Sequence, residues 1–349
     1  MNASTNPSDG LRVVVTGATG NVGTSVVRAL AREQRVASVL GLARRTPRLT
    51  LPKTRWAEVD LSLERDEPRL AQYLEDADAV VHLAWRFQPT HDPAETWRSN
   101  VLGSLRVFHA VAEGRVPVLV HASSVGAYSP GPKTGAGVSE SWPTHGWPGA
   151  AYTREKAYLE RVLDTFERDH PLTRVVRMRP GFLFKEESAS EQRRIFAGRF
   201  FPGGLLRPEL LPLVPEFEGL RFQTLHTDDA ADAYRRALLR DVRGAFNLAA
   251  DPVIDAGILA ELLDARTVKV PKGAVRGALS AAWRLRVAPA SPDLFDAVLR
   301  LPVMATDRAR EELGWEPTMS SVEALGAFLR GVRTGGGDAT APLTGRRIG

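Results

Sequence analysis

Leu11-Arg-Val-Val-Val-Thr16 runs directly into Gly17-Ala-Thr-Gly20-Asn-Val-Gly23. A short run of branched apolar residues closed off by glycine reads as a buried strand. Asn21 to Arg32 follows with Val22, Val26, Val27 and Leu30 on one helical face, so the glycines form the turn between strand and helix. Each has a physical use there. Gly17 lets the chain turn sharply, Gly20 lets the backbone approach a diphosphate, and Gly23 lets helix and strand pack closely, with the helix N-terminus facing the anion. The spacing is Gly-x-x-Gly-x-x-Gly, and in this strand-turn-helix setting it points to a bound dinucleotide.

Working outward, Val36 to Ala43 reads as a second strand and Arg55 to Asp60 as a third. A helix around Arg69 to Leu74 precedes a fourth strand, Ala79 to Ala84. A long helix, Ala94 to Ala112, leads to a fifth strand, Val116 to His121, ending at Ser123-Ser124. After a Pro/Gly-rich loop (Ser129 to Gly149) comes a helix from Ala151 to about Glu167, then a sixth strand, Arg174 to Arg179. Alternating strands and helices predict an α/β fold, a doubly wound parallel Rossmann sheet. Residues 11–181 form this dinucleotide-binding domain. Residues 182–333 form mainly a smaller C-terminal substrate lobe, with about 222–250 returning to the sheet through Ala245 to Ala250. Asp228 or Asp229 is expected to cap the helix that follows His226. Residues 1–10 and the Gly/Thr/Pro/Arg tail 334–349 are expected to be disordered.

The chemistry sits in Tyr152-Thr-Arg-Glu-Lys156, which puts a phenol and an ammonium one helical turn apart. Moving hydride to or from a carbinol carbon requires a proton donor or acceptor on its oxygen. A free phenol is a poor base at neutral pH, and a neighbouring ammonium lowers its pKa. Tyr152 is therefore the expected acid/base, with Lys156 supplying the charge and holding ribose hydroxyls. Ser124 is placed to fix the substrate oxygen. Asn100 either braces a water relaying protons to Lys156 or is a buried polar helix residue.

The second strand ends Ala43-Arg44-Arg45, where an acid would mark NAD. Arg44 and Arg45 are either a clamp for a 2′-phosphate or solvated surface residues. NADP is the expected cofactor and NAD the alternative. Asp60 and Leu61 either bracket the adenine or form an ordinary loop. Trp85 and Phe87 either wall the nicotinamide or substrate pocket or pack the core. The apolar, proline-rich stretch from Phe201 to Pro215 suits an apolar ligand, although Arg193, Arg194 and Arg199 can still clamp a phosphate. No His-x-x-x-His or His-x-x-Glu-His occurs, so no metal is expected.

The absence of cysteine excludes disulfides and a thiolate nucleophile. Basic residues are interleaved with acids despite a net charge of +5, which argues against a nucleic-acid partner. The acid-free segment Arg266 to Arg286 is expected to be a solvated helix face and lid element. With no apolar run long enough for a bilayer and no signal-peptide pattern, no membrane partner is expected and the location is cytoplasmic. The expected partner is a small-molecule substrate, with a homodimer left open.

Together these segments resemble the extended short-chain dehydrogenase/reductase family, also called the NAD-dependent epimerase/dehydratase family. The resemblance rests on Thr16 to Gly23, Asp60-Leu61, His82-Leu-Ala84, Asn100 to Ser104, Ser123 to Tyr128, Tyr152-x-x-x-Lys156, Arg179-Pro-Gly181, His226 to Asp229 and Leu313 to Pro317. It implies a Ser124/Tyr152/Lys156 triad and bound NAD or NADP. Candidate cofactor contacts are also Thr19, Asn21, Val22, Leu83, Ala84 and Pro180, and candidate substrate contacts are Trp85, Ser124, Phe182 and Phe201. Two departures narrow the resemblance. Val125-Gly126 follows Ser124 where sugar dehydratases carry an Asp-Glu pair, and Phe182-Leu-Phe-Lys185 replaces the Asn-Pro segment of sugar 4-epimerases. The expected reaction is interconversion of a ketone and a secondary alcohol on a mostly apolar small molecule. A nucleotide-sugar epimerase and a non-catalytic dinucleotide sensor are the alternatives.

Overall fold

Val13 and Val15 of β1 (Leu11–Thr16) enter one apolar cluster and Val14 enters another, so the central strand is buried on both faces. A strand so placed needs apolar residues at every position, which is why it reads as a continuous run rather than an alternation. The computed structural model describes residues 10–88, 90–196 and 212–345.

In chain order, β1 is followed by α1 (Asn21–Arg32), β2 (Val36–Ala43), β3 (Thr54–Glu58), α2 (Glu67–Leu74), β4 (Ala79–His82), α3 (Pro93–Trp97) and α4 (Gly103–Glu113). Then come β5 (Val118–Ala122), α5 (Ala151–Asp169), β6 (Arg174–Pro180), β7 (Phe182–Phe184), α6 (Ala189–Phe196), β8 (Leu213–Glu216) and β9 (Thr224–His226). The remainder is α7 (Thr227–Leu239), β10 (Gly244–Leu248), α8 (Ala256–Leu262), β11 (Arg266–Lys269), α9 (Lys272–Arg284), α10 (Pro292–Val298), α11 (Asp307–Leu313) and α12 (Ser321–Thr334).

Seven strands form one parallel sheet in the order β10-β6-β5-β4-β1-β2-β3. Helices α1 and α7 cover one face with Val26, Val27, Leu30, Ala233 and Tyr234. Helices α2, α4 and α5 cover the other with Leu70, Leu74, Phe108, Val111, Leu159 and Leu163. The strand order reverses between β1 and β4, and in open α/β sheets the crevice at such a switch point takes the ligand. Two-stranded parallel pairs, β7 with β9 and β8 with β11, lie outside the main sheet.

A buried ion network ties α5 to β6. Glu160 accepts from Arg179 Nε and Nη2, both at 2.9 Å, from Arg177 Nη1 at 2.9 Å, and from Ser123 Oγ at 2.6 Å. Arg177 also pairs with Asp164 and Glu167. Burial raises the Glu160 carboxyl, but the hydrogen bonds and charges of Arg179 and Arg177 outweigh it and hold the group down at about 2.

Four expectations need correcting or bounding. The helix expected over Ala94 to Ala112 is interrupted by a π-helical turn at Arg98–Leu102, which carries Asn100. One extra residue in a turn rotates the face that follows, and apolar periodicity alone does not register it. Helix α7 is capped by His226, whose ring accepts from Asp228 N at 3.3 Å; Asp229 instead accepts from Thr318 and Met319. The tail expected to be disordered from 334 is folded through 345, with Thr340 and Leu343 fully buried. Hydrogen bonds from its small and polar residues hold it, together with the buried Leu343 side chain. Residues 1–9, 346–349 and most of the apolar stretch 201–215, Phe201 included, lie outside the described residues. Among the described residues no helix is long and apolar enough to cross a membrane.

Candidate active site

Three loops meet at the carboxyl ends of β1, β4 and β5. Gly17 sits at φ +67° and packs so closely on the β4 loop that a Cβ there would lie 2.6 Å from Ala84 N. Gly23 lies against Gly17 O, which a Cβ would approach to 2.2 Å. By contrast, a Cβ on Gly20 meets only Gly17 O, at 3.5 Å, so this side of the turn is open. Helix α1 starts at Gly20 with no side-chain cap and no acid in its first turn. Its first N–H groups and the positive end of its dipole therefore suit an anionic ligand. A dinucleotide diphosphate fits these residues.

The other cofactor candidates are dispersed around this turn. Asn21 bridges outward, donating to Leu183 O at 3.1 Å and accepting from Thr227 Oγ1 at 3.1 Å. Leu83 N donates to Thr16 O, and Pro180 lies buried in β6 beside Leu248. Arg44 and Arg45 are exposed at the end of β2 and make no ion pair among the described residues. Asp60 accepts from Ser62 N and Oγ, and Leu61 packs on Gly103.

The structure brings the expected triad together. Tyr152 OH donates to Ser124 Oγ at 2.8 Å, and Gly126 N donates to the same oxygen at 3.0 Å. Lys156, one turn along α5, donates to Ala122 O at 2.6 Å and stands 3.4 Å from the centre of the Trp85 ring. Trp85 meets Tyr152 edge-on at 5.7 Å, and Phe87 stacks on it at 4.6 Å. Trp85 Nε1 is buried with no acceptor among the described residues, which leaves a donor for a ligand beside Lys156.

The electrostatics correct one expectation. The neighbouring ammonium does not bring the phenol below its ordinary value: burial dominates and pushes Tyr152 up to about 12, with the Ser124 hydrogen bond opposing it and Glu155 reinforcing it. Burial also lowers Lys156 to about 7, against the upward pull of Glu155 and Glu160. The phenol is thus a protonated donor at neutral pH.

Asn100 fits the second of its two readings, a buried polar helix residue. Its Oδ1 accepts from Arg86 N at 2.7 Å, and its Nδ2 donates to Arg86 O at 2.8 Å and to Glu155 Oε2 at 2.7 Å, so both amide hydrogens are engaged. Glu155, which the sequence reading passed over, accepts from Thr96 Oγ1 at 2.6 Å through its other oxygen. Burial raises its carboxyl above the usual range against these hydrogen bonds. The signal was available, because a charged residue three positions from Tyr152 faces the protein interior on a helix whose outer face is polar.

Beside Tyr152 opens a cavity of about 260 Å³. Trp85, Phe87 and Trp283 give its aromatic walls, and Glu155, Arg86 and Arg154 are among its polar groups. Trp283 comes from α9, in the basic segment read as a lid, where it stacks on His91 at 4.2 Å and donates to Thr90 Oγ1. Phe182 does not line this cavity; it packs with Val125, Leu301 and Met304 in a separate cluster. Arg194 is engaged by Pro342 O and Thr344 O rather than facing a ligand, and Arg199 lies outside the described residues. No cluster of metal ligands occurs among the described residues.

Comparison with known proteins agrees with this geometry. The chain is 25% identical to a 4-hydroxy-2-methyl-3-oxo-4-farnesyl-3,4-dihydroquinoline-1-oxide ketoreductase of Stigmatella aurantiaca, covering 94% of this chain and 98% of the relative. Its fold is similar to the UDP-glucose 4-epimerase of Thermus thermophilus in complex with NAD (TM-score 0.67, 21% identity, 93% and 99% of the two chains). It is also similar to the dTDP-glucose 4,6-dehydratase of Streptomyces venezuelae with NAD bound (0.68, 20%, 96% and 100%). The model of the NAD dependent epimerase/dehydratase family matches residues 13–249. With the open glycine turn and the assembled Ser124, Tyr152 and Lys156, this chain belongs to that family, the extended short-chain dehydrogenases/reductases, whose members are NAD-dependent enzymes.

Proposed function

We propose that this enzyme is a ketoreductase, reducing a ketone on a mostly apolar, ring-containing small molecule to the secondary alcohol. The observation that carries this reading is the Tyr152–Ser124 hydrogen bond beside a cavity walled by three aromatic side chains. The nicotinamide, when bound, supplies the hydride. Tyr152 donates its proton to the ketone oxygen as negative charge develops there, and its raised pKa keeps that proton available at neutral pH. Ser124 holds the same oxygen in place. Lys156 holds ribose hydroxyls and steadies the phenolate left behind. The aromatic walls favour a substrate with apolar rings.

Position 126 argues against dehydration of a sugar. A Cβ on Gly126 would lie 2.6 Å from the Tyr152 ring, so the acid that dehydratases carry there has no room. The relative from Stigmatella aurantiaca supports the ketoreductase reading, since its named substrate carries a keto group, a dihydroquinoline ring and a farnesyl chain. The test is net cofactor turnover over a panel of aromatic and alicyclic ketones. One NADPH is expected to be oxidised per alcohol formed; substrate turnover without net cofactor oxidation would replace the ketoreductase with an epimerase.

For the cofactor we propose NADP. Ala43 is buried where an acid would repel a 2′-phosphate, and Arg44 and Arg45 stand exposed at the strand end. A guanidinium meets a phosphate through a planar fork of donors. Arg44→Ala is expected to weaken NADPH by about 10-fold, the low end for a charge-assisted hydrogen bond because the group is exposed, and to leave NADH nearly unchanged. Titrating both cofactors checks this, and an equal loss for the two would remove the assignment.

A further inference from the structure

Residues 335–345 lie beyond the segment matched by the family model and close into a compact loop against the glycine turn. Asp338 N donates to Leu343 O at 2.8 Å, Leu343 N to Thr340 O at 3.1 Å, and Thr344 Oγ1 to Thr340 O at 3.0 Å. The ends nearly touch: a Cβ on Gly337 would lie 2.1 Å from Gly345 N. A short loop with adjoining ends, packed by its own side chains, has the character of an Ω-loop.

Three anchors fix it. Thr340 Oγ1, fully buried, donates to Thr19 O at 2.8 Å inside the glycine turn. Arg28 of α1 donates to Asp338 Oδ2 at 2.8 Å, so the loop's carboxylate is neutralised before it faces an incoming anion. Arg194 of α6 donates to Thr344 O at 3.0 Å and also to Pro342 O. The loop therefore fastens the turn and α1 to α6. No hydrogen bond from it reaches the N–H groups of Asn21, Val22 or Gly23 among the described residues. It grips the turn by a carbonyl and leaves the anion-facing side open.

A glycine-rich turn loses more backbone freedom on ordering than any other segment, so a partner that orders it beforehand strengthens whatever binds there. We propose that the C-terminal loop is a built-in part of the dinucleotide site, with Thr340 as a positioning residue that fixes the Thr19 peptide and, through it, the N–H groups meeting the diphosphate. This rests on the dinucleotide reading of the turn.

The test uses the full chain, Thr340→Val, Thr340→Ser and a chain ending at Thr334. Each is titrated with NADH and NADPH by tryptophan fluorescence, and amide exchange of residues 17–23 is followed in the ligand-free protein. Thr340→Val should weaken the preferred cofactor about 3- to 10-fold, the worth of one neutral hydrogen bond, and speed exchange in the turn. Thr340→Ser should restore both, and the shortened chain should lose about 10-fold or more if it folds. Unchanged affinity in Thr340→Val, or tighter binding by the shortened chain, overturns the proposal; the second result would make the loop an obstruction. A wild-type chain that binds neither cofactor overturns the dinucleotide reading itself, which separates the two failures.

Discussion

Tyr152→Phe is expected to lower kcat for ketone reduction by about 100-fold or more while leaving dinucleotide affinity nearly unchanged. The substitution removes one hydroxyl, whose hydrogen bond is to Ser124, and keeps the ring between Trp85 and Phe87. The pocket walls and the glycine turn therefore stay as they are, and only the proton donor is lost. Lys156→Ala should differ in kind, damaging both turnover and cofactor affinity, because its ammonium serves both the phenolate and the ribose. Steady-state kinetics with fluorescence titration of the cofactor distinguishes the two patterns. A Tyr152→Phe enzyme with near-normal turnover would remove the assigned role.

The second large effect is on stability. Glu160→Gln should destabilise the fold by about 3–5 kcal/mol, the cost of removing one partner from a buried ion pair. Glu160, Arg177 and Arg179 are almost completely inaccessible, so water cannot replace the lost charge. The sign of the pH dependence follows from the carboxyl. Its folded pKa of about 2 lies below the ordinary 4.5, so its contribution is complete above pH 4.5 and is lost as the pH falls toward 2. A depression of this size corresponds to roughly 3 kcal/mol across that window. Urea unfolding between pH 7 and pH 3 should show wild type losing about 2 kcal/mol of this increment and Glu160→Gln losing much less. Parallel acid arms for the two proteins would contradict the account.

The parts of the molecule legible in the sequence are those built from neighbours along the chain. β1, the glycine turn and α1 declare themselves through a short apolar run, three spaced glycines and a helical stripe. Tyr152 and Lys156 are one helical turn apart, and Ser124 lies two residues past the end of β5, so their meeting follows once the sheet is parallel. What escaped depends on distant partners. Thr340 and Thr19 are separated by 321 positions, and nothing in a Gly/Thr/Pro tail signals that its hydroxyl is buried. The occupation of Asn100 by Arg86 and Glu155 depends on a π-helical turn that apolar spacing does not register. Trp283 stood in a segment dominated by its basic residues, although its ring belongs to the cavity wall. The raised pKa of Tyr152 likewise comes from burial, which the Tyr-x-x-x-Lys motif alone does not reveal.

Net hydride transfer to a ketone is the central claim, and isotope transfer reads it directly. NADPH carrying deuterium at the reactive C4 position is incubated with the enzyme and a ketone turned over in the panel, and the products are analysed by mass spectrometry. The account predicts one deuterium on the carbinol carbon of each alcohol formed, with an equal amount of cofactor oxidised. Substrate converted to a stereoisomer while the cofactor pool stays reduced would contradict it and identify the enzyme as an epimerase.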